Sequence, residues 1–310
     1  MTAGIRPQAF VHPALFYRGP QDYARRTVAF LKEGLARGEP AAVAVPGPNL
    51  ELIKAGLGPD ADGVVFLDMT DVGRNPGRII PRVLLRFADA HPAGRVRIIG
   101  EPIWAGRSEA EYPACAQHEA LINAAFEGRG ATILCPYDAT RLAPAVIADA
   151  RLTHPVLIGE DGREEASPAY DWQAVVAHYN QPLVPAADSV VRSYARRDLS
   201  SVRRYAADRA AHMGLAGQRL MDLELAVAEL TTNSVVHGGG SGTLAMWVDQ
   251  GQLVCEVRDR GLLSDPLAGR RPPGGQQIGG RGLLLVHTVA DLVRIHTSGD
   301  GTAVRVHFGL

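Results

Sequence analysis

Between residues 10 and 155 short apolar runs alternate with longer stretches of helical spacing, and no other feature narrows the fold so far. Residues 41–45, 64–67, 96–99 and 131–134 are mainly apolar, and each run carries Val or Ile. Each is too short for a helix, and none shows the in–out alternation of a strand with one wet face. Such runs suit strands covered on both sides. Residues 21–37, 81–90 and 109–126 place their apolar side chains at helical spacing. Strands separated by helices pair in parallel, because a parallel pair needs a long crossover. The expected fold of this half is α/β, a parallel sheet with helices on both faces.

In such sheets ligands lie beyond the carboxyl ends of the strands. Polar and aromatic residues stand at those ends. Asp68, Thr70 and Asp71 follow 64–67, Glu101 and Trp104 follow 96–99, and Tyr137 and Asp138 follow 131–134. No G-x-x-x-x-G-K-[ST] sequence is present, so no P-loop is expected. A small organic ligand is expected near Glu101, Trp104, Tyr137 and Asp138. His118, in Q-H-E-A-L-I-N, is a further contact, against the alternative of a hydrogen-bonded histidine in helix packing. His12, His118 and His154 are separated by long stretches without ligand spacing, so no metal is expected here.

The 310 residues suffice for about two domains. Their 32 basic and 33 acidic side chains are interspersed, so neither nucleic acid nor a membrane surface is an expected partner. Cys115, Cys135 and Cys255 are odd in number and lack C-x-x-C spacing, which fits buried reduced thiols. No apolar run reaches about eighteen residues. The start M-T-A-G-I-R-P-Q lacks the apolar centre of a signal peptide. The expected location is cytoplasmic.

Residues 159–187 are turn-rich and charged and read as a connector, with Tyr170 and Trp172 docking it on a domain. Residues 188–213 have helical spacing and an Arg-rich solvated side, with Asp198 and Ser200 offering an N-cap. A longer helix over 218–237 ends in E-L-T-T-N-S-V-V-H-G-G-G. There Glu229 and Asn233 stand one turn apart on one face, where an acid and an amide can share one ion or water. Asp259 and Gly261 follow the strand-like run 253–257. Residues 266–277 read as a loop. Gly279, Gly280, Arg281 and Gly282 then precede the apolar helix 283–290, whose first N–H groups and dipole suit an anion. Gly301 and Thr302 open the last strand.

These four elements, in this order over about 188–310, resemble the GHKL ATPase superfamily. Within it they are most similar to the anti-sigma-factor serine/threonine kinases. The resemblance implies an α+β sandwich of the Bergerat type that binds ATP with Mg²⁺. It makes Glu229 the general base and Asn233 the Mg²⁺ ligand. Asp259 then receives the adenine amino group, and Gly261 admits the ring. Gly279, Gly280, Arg281 and Gly282 meet the phosphates. Thr302 adds a bond near the adenine, or simply opens a strand as a β-branched residue. The family pattern is Asp-x-Gly-x-Gly, and its fifth position here is Leu263, which puts the shape of the adenine pocket in question.

The first half resembles the MEDS sensory domain over about 11–156. It does so through H-P-A-L-F-Y, G-L-A-R-G-E-P, V-R-I-I-G-E-P-I-W, H-E-A-L-I-N, L-C-P-Y-D and T-H-P. That resemblance implies an input role with a small molecule. The expected organisation is a sensory domain at 1–158, a connector at 159–187 and an ATP-binding kinase domain at 188–310. The implied function is a cytosolic homodimeric kinase that phosphorylates an anti-anti-sigma (antagonist) protein and so regulates a sigma factor. One alternative is a histidine-kinase-like sensor, for which His212 is the histidine at hand. The other is a nucleotide-binding switch without catalysis.

Overall fold

The computed structural model describes residues 10–271 and 280–310. They form two compact units. Unit 1 holds the residues up to Arg74 and Ile79–Tyr179, and unit 2 holds Asn75–Arg78 and Asn180–Leu310.

Among its described residues unit 1 has seven strands: β1 Pro13–Tyr17, β2 Ala41–Val45, β3 Val64–Asp68, β4 Val96–Gly100, β5 Ala131–Asp138, β6 Val156–Ile158 and β7 Glu164–Ala166. Their order is β3-β2-β4-β5-β1-β6-β7. All neighbours are parallel except β6 and β7, so the sheet is mixed at one edge. The helices are α1 Gly19–Ala36, α2 Gly47–Leu57, α3 Met69–Val72, α4 Leu85–Ala90, α5 Tyr112–Ala125, α6 Pro144–Thr153 and α7 Trp172–His178. Leu15, Val43, Val45, Ile99 and Leu134 pack with Tyr23 and Leu31 of α1 and Leu50 and Ile53 of α2. Their neighbours Ala14, Phe16, Ala44, Ile98 and Cys135 point to the opposite face by strand alternation and are buried too. Both faces are therefore covered, which is why these strands read as continuous apolar runs.

Two expectations need correction. Residues 159–179, expected within a connector, supply β7 and α7 to unit 1, because Val175 of α7 is buried against Ala116 and Ala120 of α5. The helical spacing of 188–213 holds only from Asp198, the expected cap, onward. Val190–Ala195 forms strand β8, paired antiparallel with the sheet edge, and the helix begins at Leu199. Pairing with a neighbouring strand overrides the helical spacing there.

Unit 2 continues with α8 Leu199–His212, α9 Gly217–Val236, β9 Ser241–Asp249, β10 Gln252–Asp259, α10 Gly282–Val289, β11 Leu292–Ser298 and β12 Gly301–Gly309. Its sheet is antiparallel, in the order β11-β12-β10-β9-β8. Side chains of the three helices and one sheet face share a core that includes Val202, Leu223, Leu230, Val257, Val286 and Phe308. On the other face Ala245, Trp247 and Val254 pack with Ala186. This is the expected α+β sandwich. Among the described residues no helix is long and apolar enough to cross a membrane.

Candidate functional site

Helix α9 positions the first pair of side chains. Leu223, Ala226, Val227, Leu230, Thr231 and Ser234 recur at helical spacing and are buried. Burying one leucine fully contributes roughly 1.5–3 kcal/mol. This stripe fixes the rotation of the helix and hence the direction of Glu229 and Asn233, which are half-buried beside it. Both face the first residue of α10. A Cβ on Gly282 would stand 2.7 Å from Glu229 Oε2 and 3.2 Å from Asn233 Nδ2. Glycine is what lets the backbone come so close.

A cavity of about 660 Å³ opens at this point, within the usual range for ligand pockets. Asn233, Asp259, Gly261, Gly280, Gly282 and Thr302 all line it. Arg281 is exposed at the N-cap of α10. Gly279, and the part of the 266–277 loop from 272 onward, lie outside the described residues.

Asp259 ends β10 and is in register with Thr302 of β12. Its Oδ1 accepts the Gly261 N–H at 2.8 Å, and its Oδ2 accepts the Ser234 hydroxyl at 2.7 Å. Each oxygen keeps a further acceptor site. The chain leaving α9 presses on this carboxylate, since a Cβ on Gly238 would stand 2.3 Å from its carboxyl carbon. The Thr302 hydroxyl donates to Gly261 O at 2.7 Å and lies 2.9 Å from Thr297 Oγ1. The Leu263 N–H donates to the same Thr297 oxygen at 3.0 Å. The Asp-x-Gly turn is thereby tied to β11 and β12. Among the described residues Gln250 is the one non-glycine with positive φ, so Leu263 has an ordinary backbone and its position does not require glycine.

In unit 1, Glu101 follows β4 and is buried. It accepts hydrogen bonds from Tyr23 at 3.0 Å, from Asn49 at 2.8 and 3.0 Å and from Tyr17 at 3.5 Å. Burial outweighs these bonds and lifts its carboxyl to about 7. Asp138 is opposite Tyr17 in the β1–β5 register, and its charge pushes Glu101 the same way. Tyr137 precedes it on the strand and so faces the other side of the sheet, where it meets His154 edge-on at 5.6 Å. Trp104 stacks with the Arg107 guanidinium at 4.0 Å. His118 is buried in α5. The five expected sensory residues therefore do not share one site. Glu101 and Asp138 meet at Tyr17, while Tyr137 belongs to the opposite face.

Residues 11–155 match the family described as MEDS, the MEthanogen/methylotroph, DcmR Sensory domain. Residues 193–308 match the histidine kinase-like ATPase domain. The chain is thus similar to a MEDS domain over 11–155 and to a histidine kinase-like ATPase domain over 193–308. No curated protein matches it. Among solved structures, one of the RsbU and RsbW domains of a Mycobacterium tuberculosis protein is similar at 18% identity, with a TM-score of 0.30. The match takes in 39% of this chain, and the chain spans 32% of that structure, about a third of its length.

Sequence reading missed residues in both domains. In the ATPase domain it missed Ser234 and Gly238, although both lie inside the singled-out stretch 229–240. In the MEDS domain it missed Tyr17, Tyr23 and Asn49, and the signal for Asn49 was its place in the first turn after Pro46-Gly47-Pro48. It also dismissed the histidines. His12 and His154 converge on Glu119 and Cys135, with one ligand atom from each within 4.8 Å of the others. His118 is not a member of that group, but its neighbour Glu119 is.

Proposed function

We propose that the ATPase domain binds ATP with Mg²⁺ and transfers its terminal phosphoryl group to a serine or threonine of an antagonist protein, which releases or sequesters a sigma factor. The observation that carries this reading is the meeting of Glu229 and Asn233 with Gly282, beside a cavity that Asn233, Gly282 and Asp259 line. ATP with its Mg²⁺ supplies the phosphoryl group and offsets its charge. Asn233 offers an amide oxygen to the ion, which takes few protein ligands. Glu229 accepts the proton of the attacking hydroxyl. Asp259 accepts the adenine amino group, and Gly261, where a Cβ would stand 2.7 Å from His237 O, lets the turn close against the end of α9. The N–H groups that open α10, with Gly280, Arg281 and Gly282, face the phosphates. Thr302 holds the turn under the adenine through Gly261 O.

The MEDS domain is the input of this cytoplasmic protein, with a small organic ligand at Glu101, Tyr17 and Asp138, and the kinase works as a homodimer. Serine or threonine is favoured over histidine because His212, in A-A-H-M-G, has no acidic residue beside it. The test is labelling with γ-³²P-ATP and Mg²⁺ in the presence of proteins that co-purify from native cells. Acid-stable label on a partner is expected. Acid-labile label on the chain itself, or no Mg²⁺-dependent ATP binding, overturns the proposal.

A further inference from the structure

The MEDS domain contains a buried cluster that neither the nucleotide reading nor the Glu101 hydrogen-bond group uses. His12 directly precedes β1, Glu119 lies on α5, Cys135 on β5 and His154 directly after α6. Each is at most 1% exposed. Glu119 Oε2 is 3.1 Å from His154 Nε2 and 3.6 Å from His12 Nε2, and Cys135 Sγ is 3.4 Å from His12 Nε2.

The hydrogen bonds around the cluster decide which atoms carry protons. His154 Nδ1 is 2.8 Å from Ala150 O, and a carbonyl can only accept, so Nδ1 bears the hydrogen and, in the neutral ring, Nε2 presents a lone pair. The Asn123 amide donates from Nδ2 to Ala120 O and Thr153 O, which leaves Oδ1 as the acceptor for His12 Nδ1 at 3.2 Å. His12 therefore also presents Nε2 as a lone pair. Two imidazole lone pairs and a carboxylate then point at one another in a dry interior. Both Glu119 oxygens and His154 Nε2 lack a hydrogen-bond partner. Buried acceptors so arranged are costly unless a cation joins them.

We propose that His12, Glu119, Cys135 and His154 bind one divalent transition-metal ion, of which Zn²⁺ is the best fit, in a closed four-coordinate site. Zinc bonds of about 2.0–2.3 Å in a tetrahedron place ligand atoms roughly 3.3–3.8 Å apart. Three of the contacts, at 3.1, 3.4 and 3.6 Å, fall in or close to that range. Nitrogen and sulfur donors select against Mg²⁺ and Ca²⁺, which take oxygen. A dication with the Glu119 carboxylate and the Cys135 thiolate makes a neutral unit, which suits burial. Binding converts the Cys135 thiol to thiolate and releases one proton to solvent. The Asn123 and Ala150 contacts are the outer bonds that such histidines require. With four protein donors and no exposed face, the ion is structural, and it joins β1, α5, β5 and α6.

The test uses the full chain, expressed with zinc and then with cobalt, and dialysed. About one zinc per chain is expected by elemental analysis. The cobalt form is expected to show a thiolate-to-metal charge-transfer band. Cys135→Ser is expected to lose that band, and Cys255→Ser to keep it. Asn233→Ala, which alters the nucleotide site, is expected to keep the zinc. His154→Gln is expected to bind at least about tenfold more weakly. Should ligand variants fail to fold, the wild-type stoichiometry decides. Less than about a tenth of an equivalent in protein refolded with zinc overturns the site, and so does an unchanged cobalt band in Cys135→Ser.

Discussion

The hydroxyl of Ser234 on α9 donates to Oδ2 of Asp259 at the end of β10, at 2.7 Å. This bond sets the carboxylate relative to the helix that carries Glu229 and Asn233. Replacing Asp259 by Asn puts an amide where an acceptor-only group stood. Asp259→Asn is expected to weaken ATP binding by about tenfold or more, as befits a hydrogen bond to a charged group. Ser234→Ala removes only the orienting bond and is expected to cost about 1 kcal/mol, or roughly fivefold in Kd. Calorimetric titration with a non-hydrolysable ATP analogue measures both, and an unchanged Kd for Asp259→Asn removes the adenine assignment.

Glu229 and Asn233 differ in what their loss does. Glu229→Ala removes the proton acceptor and leaves the cavity lining in place. Turnover is expected to fall by about 100-fold or more while the Kd for ATP changes little. Asn233→Ala is expected to lose the Mg²⁺ dependence of binding. Kinetics and titration on the same preparations separate the two, and full turnover by Glu229→Ala ends its role as base.

How much of this was legible in the chain depended on whether the information was local. The helix stripe of α9, the buried strands β2 to β5 and the glycines before α10 follow from spacing over a few residues. Strand β8 was not legible, because its extended form comes from pairing Val190–Ala195 with β9. The start of α2 was not legible either, since Pro46-Gly47-Pro48 ends β2 and also opens a helix at its first turn, where proline is tolerated. The His12–Cys135 approach was invisible for a different reason. It depends on β1 entering the sheet beside β5, a parallel pairing between segments more than a hundred residues apart. No ligand spacing can announce that.

Gly282 and Leu263 test how tightly the site is built. A Cβ at 282 collides with Glu229 Oε2, the far end of a side chain that can turn away. Gly282→Ala is therefore expected to keep its fold and melting temperature but to lose turnover by at least about tenfold, through displacement of the carboxylate. Leu263→Gly restores the family pattern. Since Leu263 has an ordinary φ and contributes its N–H to Thr297, the change is expected to leave the ATP Kd within about threefold and to lower stability by about 0.5–1 kcal/mol. A large gain in affinity on Leu263→Gly would show that the leucine obstructs the adenine pocket.

Glu101 gives the MEDS domain a pH dependence of defined sign. Burial raises its carboxyl from an ordinary 4.5 to about 7 in the fold. Between those values the folded chain holds a proton that the unfolded chain has released. Its contribution is thus fully present below about pH 4.5 and is lost as pH rises through about 7. The whole effect is on the order of 3 kcal/mol, since each tenfold change in proton affinity corresponds to about 1.4 kcal/mol. Glu101→Gln keeps the size and the acceptor for Tyr23 but cannot ionise. Urea midpoints measured from pH 5 to 8 are expected to fall with pH in the wild type more steeply than in Glu101→Gln. Parallel curves for the two proteins would mean that Glu101 ionises in the fold as freely as in water. The ring of Tyr17, Tyr23 and Asn49 would then hold a carboxylate at all these pH values, and the ligand it selects would have to bring a positive charge.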